Sequence, residues 1–340
     1  KMKSTHSSLE ISHYPVMLKE VVEACSLQKG GSYVDCTFGG GGYTKEILKI
    51  SNTKVIALDR DSHVKERADE LSKKYKNRFI FYNKKFSELD KVLSKDDKAD
   101  AIIFDLGLSS FQLKDMARGF SFKSKQKIDM SMGLTNLSAE KILNNCDEHY
   151  LKLILKILGD EKEASKIVKN IVQTRKLRKI STVLDLVEII KKSKKKDYSK
   201  KIDICTKTFQ ALRIFVNKET TELIEGIIKA TKFIKTGGKI IVVSFHSIED
   251  KIVKFYFSNY SNDKSRPSRY LPEETKNKKI FFHDYKNKLL KPSLKEVEIN
   301  PPSRSAKLRF ATRNNFEFQE PKSLRIKFKK YLDLESINVQ

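Results

Sequence analysis

Two acids and a run of glycines carry the first chemical signal in this chain. Asp35-x-Thr37-x-Gly39-Gly40-Gly41-Gly42 stands between a strand-like and a helix-like segment, and Asp59 closes the next strand-like segment. Glycines at such a turn admit a ligand close to the backbone, and the helix that follows offers free N–H groups. In doubly wound folds ligands bind at this C-terminal edge of the sheet. A carboxylate at Asp59 is placed to accept hydrogen bonds from both hydroxyls of a ribose. Two cofactor classes fit, a dinucleotide and S-adenosylmethionine. The dinucleotide fingerprint is G-x-G-x-x-G, whereas this loop opens on an acid and holds four adjacent glycines. An acid at the end of the first strand suits a cofactor with a cationic methionine moiety and no pyrophosphate. A glycine-rich turn that binds nothing is the bland alternative.

A third acid, Asp105, ends the apolar run Ala101-Ile102-Ile103-Phe104 at the same edge. An exocyclic amine such as cytosine N4 is a poor nucleophile, because its lone pair is delocalised into the ring. An acceptor oxygen on its N–H favours a pyramidal nitrogen and takes up the proton after transfer, a role open to Asp105. A contact to the cofactor, or a cap on the strand, fits the same position. His246, after the most apolar strand, stands either to reach an acceptor or to cap the next helix. Arg118 with Phe120 and Phe122 offers phosphate pairing and stacking on RNA, or packing and a salt bridge. Asn300-Pro301-Pro302-Ser303 lacks the aromatic residue with which DNA amino-methyltransferases stack a flipped base, so it reads as a turn.

Such residues need a parallel sheet to hold them in one place. Continuous apolar runs at 32–36, 55–59, 79–82, 101–105 and 239–245 read as strands buried on both faces. Amphipathic runs at 43–50, 62–76, 219–234 and 248–259 alternate with them, Gly237-Gly238 reads as a turn, and 296–299 and 307–312 are expected to close the sheet. From about 113 to 206 the strand signals vanish. Leu151, Ile154, Leu155 and Leu158 form one helical stripe, with Asp147 as its N-cap. Ala164, Ile167, Val168, Ile171 and Val172 form a second, and Leu184, Val187 and Ile190 a third behind a capping Ser181. The expected fold class is α/β: a doubly wound, Rossmann-like methyltransferase domain over 1–112 and 207–315, interrupted by an all-helical insertion over 113–206. The charged run Lys191 to Lys201 reads as a solvated loop, and 316–340 as a basic tail or surface helix.

The net charge of +26 points to a polyanionic partner, since each neutralised phosphate releases counterions. A coding bias towards Lys would give part of the same excess. Cys25, Cys36, Cys146 and Cys205 show no C-x-x-C spacing, so neither a zinc site nor a disulfide framework is expected, and nothing in the sequence calls for a metal. No apolar run is long enough to span a bilayer and the start is polar, so a soluble, cytoplasmic protein is expected.

The motifs together resemble a known family. They are His13-Tyr14-Pro15-Val16-Met17, Asp35 to Gly42, Ala57-Leu58-Asp59-Arg60-Asp61, Asp105 to Leu113, Arg118 to Phe122, Thr208 to Ile214, Ser244 to Asp250 and Ser303 to Arg309. In this order they look like the bacterial small-subunit ribosomal RNA (cytosine-N4)-methyltransferase H family, also called MraW, from about His13 to Arg313. The resemblance implies methylation of N4 of a cytidine in the decoding region of 16S ribosomal RNA, with S-adenosyl-L-methionine as donor. It implies cofactor contacts at Gly41, Gly42, Tyr43, Asp59, Phe86, Asp105 and Gln112, and RNA recognition by the helical insertion. The partner is the small ribosomal subunit, met by a monomer or a homodimer. Two departures matter. Tyr43 stands where the family has His, which puts that side chain's contact in doubt but spares a backbone contact. Lys127 to Met132 replaces a segment read as G-P-L-D-M-R-M, whose Arg is lost. The rival readings are a DNA amino-methyltransferase, a non-catalytic RNA-binding assembly factor and, more distantly, a nicotinamide dehydrogenase.

Overall fold

The computed structural model describes residues 15–194, 203–261, 280–283, 285 and 288–339. The His13-Tyr14 pair, the polar start and most of the Lys191 to Lys201 run lie outside them. Five apolar runs form a parallel sheet: β1 (Ser32–Asp35), β2 (Lys54–Leu58), β3 (Phe79–Tyr82), β4 (Ala99–Asp105) and β5 (Ile234–Ser244). The short β6 (Phe282–His283) and β7 (Lys307–Arg313) add two antiparallel strands beyond β5. The order is β3-β2-β1-β4-β5-β7-β6, so the winding reverses between β1 and β4 and opens a crevice at their C-terminal ends.

Alternate residues of each strand enter two cores. Tyr33, Ala101, Ile103, Ile241 and Val243 pack under α1 (Leu18–Cys25), α2 (Gly42–Leu48) and α3 (Lys65–Lys74). Val34, Ile102, Phe104, Ile240 and Val242 face the other way. Burial on both sides is why these strands read as unbroken apolar runs. After β4 come α4 (Ser110–Lys114), then α5 (Ala139–Asn145), α6 (Glu148–Leu158), α7 (Ala164–Leu177) and α8 (Val183–Ser193). The chain returns to β5 through α9 (Thr206–Asn217) and α10 (Glu219–Phe233), and α11 (Ser247–Asn259) follows β5. The helical insertion has no separate core: Leu151, Ile154 and Leu155 of α6 join the same cluster as Leu212 of α9, Leu223 of α10 and Phe104 of β4.

Four expectations change. Residues 296–299 lie in α12 (Leu294–Ile299), not in a strand; Glu-Val-Glu-Ile has a strand's period, but the Ser293 side chain accepts a hydrogen bond from Glu296 N and starts a helix. The edge position goes instead to β6. Helix α8 is capped by Thr182 rather than Ser181, so Val183, Leu186, Val187 and Ile190 point inward and Leu184 is 45% exposed. Gly237 and Gly238 lie within β5 as a bulge, where the register steps from Ala99↔Ile234 to Ala101↔Lys239. The end of the chain is a docked helix pair, α13 (Lys322–Lys327) and α14 (Lys329–Glu335), with Leu324, Phe328, Tyr331 and Leu334 buried. Glu335 accepts hydrogen bonds from the backbone of Thr220 and Thr221, at the first turn of α10. All four cysteines are free and buried. Among the described residues no helix is long and apolar enough to cross a membrane.

Candidate functional site

The crevice at the winding reversal holds a cavity of about 370 Å³, within the size range of small-ligand sites. Its floor is the turn after β1. Asp35 at the end of β1 is fully buried; its carboxylate accepts from Thr44 Oγ1 at 2.7 Å and Thr37 N at 3.2 Å. Burial pushes its pKa up to about 6. It braces the turn from behind and is not among the residues that line the cavity. Gly39, Gly40, Gly42 and Tyr43 do line the cavity, while Gly41, with φ 72°, stands behind them as the N-cap of α2. Gly42 admits no side chain, because a Cβ there would lie 1.9 Å from Pro15 Cγ.

Asp59, beyond the end of β2, takes one backbone N–H on each oxygen, from Gly39 at 2.8 Å and Asp61 at 2.8 Å. Burial raises its pKa to about 6. Each oxygen keeps a lone pair free for a further donor. Asp61, next to it on the wall, accepts from Gln112 Nε2 at 2.8 Å and is paired with Arg118. Burial opposes its ionisation, but those bonds and His63 hold its carboxyl below the usual range. Gln112 lines the cavity and closes the capping box of α4 with Ser109.

Asp105, at the end of β4, faces the cavity from the opposite side. Its backbone N–H donates to Thr37 Oγ1 at 2.7 Å. Its Oδ2 lies 3.2 Å from the Tyr43 hydroxyl, which also lies 2.5 Å from the Val16 carbonyl oxygen. Asp105 Oδ1 is buried and has no hydrogen-bond partner among the described residues. Burial pushes the Asp105 pKa up to about 8, against a lowering contact from the Tyr43 hydroxyl and with Asp35, Glu249 and Glu296 adding to the rise.

The far wall comes from residues that sequence reasoning did not select: Lys85, Glu219, Glu222 and Glu249 beside the expected Phe86. Phe86 packs edge-on against Phe104 at 5.3 Å. Glu219, at the start of α10, is paired through both oxygens with Arg213, at 2.8 Å each. Glu249 Oε2 accepts from Phe245 N at 2.8 Å and His246 N at 3.3 Å. Glu249 sits inside the Ser244 to Asp250 motif, and its place three residues after an N-cap is the signal that could have found it.

The three residues proposed to meet substrate are not on the wall. His246 is the N-cap of α11, with its ring 8% exposed and Nε2 3.0 Å from Glu249 Oε1. Arg118 is held by Asp61 and by the Ser131 carbonyl at 2.8 Å, and its guanidinium lies 5.3 Å from the centre of the buried Phe120 ring. All three serve as packing and capping groups. Glu219, His246 and Glu249 bring one ligand atom each within 4.8 Å of one another. The Arg213 guanidinium already supplies the cation there, and the Glu249 oxygens are taken up as described. Asn300 and Pro302, on the 3₁₀ turn before β7, complete the rim.

The MraW methylase family model matches residues 10–314. Ribosomal RNA small subunit methyltransferase H of Ehrlichia canis is 42% identical over 300 residues, covering 87% of this chain and 98% of that protein. The protein of the same name from Rickettsia africae is 43% identical over 302 residues, covering 88% and 97%. A solved rRNA methylase from Streptococcus thermophilus overlaps with a TM-score of 0.39 at 12% identity, over 88% of this chain and 94% of that one, too slight a likeness to carry an argument.

Proposed function

The chain belongs to the MraW methylase family, and from that premise we propose that it methylates N4 of a cytidine in the decoding region of small-subunit ribosomal RNA, with S-adenosylmethionine as donor. The observation that carries the reading is that two acidic side chains, Asp59 and Asp105, line one cavity. Asp59 has lone pairs to spare for ribose hydroxyls, and Asp105 turns a bare, buried oxygen inward. A dinucleotide has less to recommend it, because the glycine turn leads into a short helix with Pro15 packed against Gly42.

The donor, when bound, supplies a methyl group on a positively charged sulfur. The chain's own part is to hold and to exclude. Gly42 and Tyr43 would border the methionine end, with Gly41 shaping the turn behind them, Asp59 the ribose and Phe86 the adenine, and Gln112 would keep Asp61 in place beside them. An amine held in line with the methyl gains most of its rate from positioning. A methylated nitrogen must also lose a proton, and the wall acids that stay ionised, such as Glu249, are bases this chain offers. The helical insertion and the net charge of +26 support RNA as the acceptor's carrier. The reading implies work on the small subunit in the cytoplasm, as a monomer or a homodimer.

The test is methyl transfer from labelled S-adenosylmethionine to small ribosomal subunits that lack their own modification, followed by nucleoside analysis. Label is expected in N4-methylcytidine and none in duplex DNA. Label in another nucleoside, or in DNA alone, overturns the acceptor.

A further inference from the structure

We propose that Tyr43 holds Asp105 as a neutral carboxylic acid, whose proton is donated to the phenol oxygen, so that Asp105 Oδ1 meets the ligand as a plain hydrogen-bond acceptor and not as a base.

The argument is a count of hydrogens. The Tyr43 hydroxyl, 3% exposed at residue level, has one proton and two oxygen neighbours. The nearer, at 2.5 Å, is the Val16 carbonyl, which can only accept. The phenol proton is therefore committed to Val16. The contact with Asp105 Oδ2 at 3.2 Å then needs a proton of its own, and the carboxyl is the only group at that contact able to bring one. An ionised Asp105 would instead set lone pairs against lone pairs in a buried place, a cost that low local polarity enlarges. The chain of donors runs Asp105 to Tyr43 to Val16.

The burial and charges of the site agree; only a Tyr43 hydroxyl that donated to Asp105 would pull the other way and lower its pKa. Among the described residues no backbone N–H donates to Asp105, unlike Asp59, which takes two. Its own backbone N–H is turned to Thr37. The charged groups that act on it, Asp35 below, Glu249 on α11 and Glu296 on α12, are all acids, and together with burial they favour the neutral form at pH 7. Glu249 differs: backbone N–H groups and His246 keep it ionised against its burial. The proton shed by an acceptor nitrogen therefore does not go to Asp105. The identity of the ligand rests on the methyl-transfer reading; the protonation state does not.

Tyr43 is on this account a positioning residue, and the sign of one shift tests it. In protein with isotope-labelled aspartate, the Asp105 carboxyl is followed by infrared or NMR titration and assigned by its loss in Asp105→Asn. In the wild type a protonated carboxyl is expected at pH 7, titrating away at about pH 8 or above. In Tyr43→Phe the neutral acid loses the oxygen that accepts its proton. Its ionisation constant should then rise about tenfold, moving the midpoint down. Were Tyr43 donating to a carboxylate instead, the same variant would move the midpoint up. An upward or absent shift, or an ionised Asp105 at pH 7, overturns the proposal. The wild-type titration needs no variant, so a misfolded Tyr43→Phe leaves the first criterion standing. Failure of methyl transfer with the expected titration would sink the functional reading alone.

Discussion

Asp105 and Asp185 are the same side chain in opposite employment. Asp185, in the first turn of α8, accepts from Thr182, Ser181 and Arg178, and against partial burial these bonds hold its carboxyl at about 2. Asp105, at the sheet edge, sits at about 8 with one oxygen bare. The contrast extends to their regions. In the insertion Ser138, Asp147 and Thr182 cap their helices and Glu140 is paired with Lys179, so its polar groups are consumed by its own fold. At the sheet edge Asp35, Asp59 and Asp105 all have raised pKa values because burial is only partly answered by donors. What the edge leaves unanswered is what a ligand can answer.

The comparison can be broken most heavily in the insertion's packing. Leu155→Ala removes a fully buried side chain and should cost about 2–5 kcal/mol in chemical denaturation. Because the core is shared, a single transition is expected; two separate transitions would mean that the insertion folds apart. Next is Asp59→Ala, expected to weaken S-adenosylhomocysteine binding by about tenfold to a hundredfold in calorimetry, from the loss of charge-assisted hydrogen bonds. Unchanged affinity would remove Asp59 from the site. Asp185→Asn should cost about 1 kcal/mol of stability near pH 7. The folded-state pKa of Asp185 lies below its unfolded value, so its contribution is present above about pH 4. It fades as pH falls through 2, and in acid the variant and wild type should melt together. A fourth effect has the opposite sign. Asp35, Asp59 and Asp105 have folded-state values above their unfolded ones, so their contribution is full below about pH 4 and lost as pH rises through 6 and 8. The ligand-free protein should melt a few degrees higher at pH 6 than at pH 8.5, a difference narrowed in Asp105→Asn.

The sheet was legible because its strands are buried twice over, and Val34, Ile102 and Ile240 leave no polar alternation to confuse. The glycine turn, Asp59, Asp105 and Gln112 were legible because motif and sheet edge coincide. Local periodicity failed where a single cap decides, as at Ser293 before α12 and at Thr182 before α8. The direction of Asp35 was not legible, because sequence shows that an acid ends a strand, not which way it faces. The wall of Glu219 and Glu222 was not legible, since only the packing of α10 against β5 brings it to the cavity, while Glu249 was legible only through its place after the N-cap of α11. His246 and Arg118 have the chemistry of contacts, and their neighbours use it for structure.

The Glu335 bond to Thr220 and Thr221 ties one end of the described chain to the shape of the cavity. Helix α10 begins one residue earlier, at Glu219, and its first turn places both Glu219 and Glu222 on the wall. The docked helix pair works as a buttress, joined through Glu335 to the helical turn that carries Glu219 and Glu222 on the cavity wall. A peptide, fusion or cleavage that disturbs 322–335 would register as altered ligand fit, far in sequence from every residue that touches the ligand.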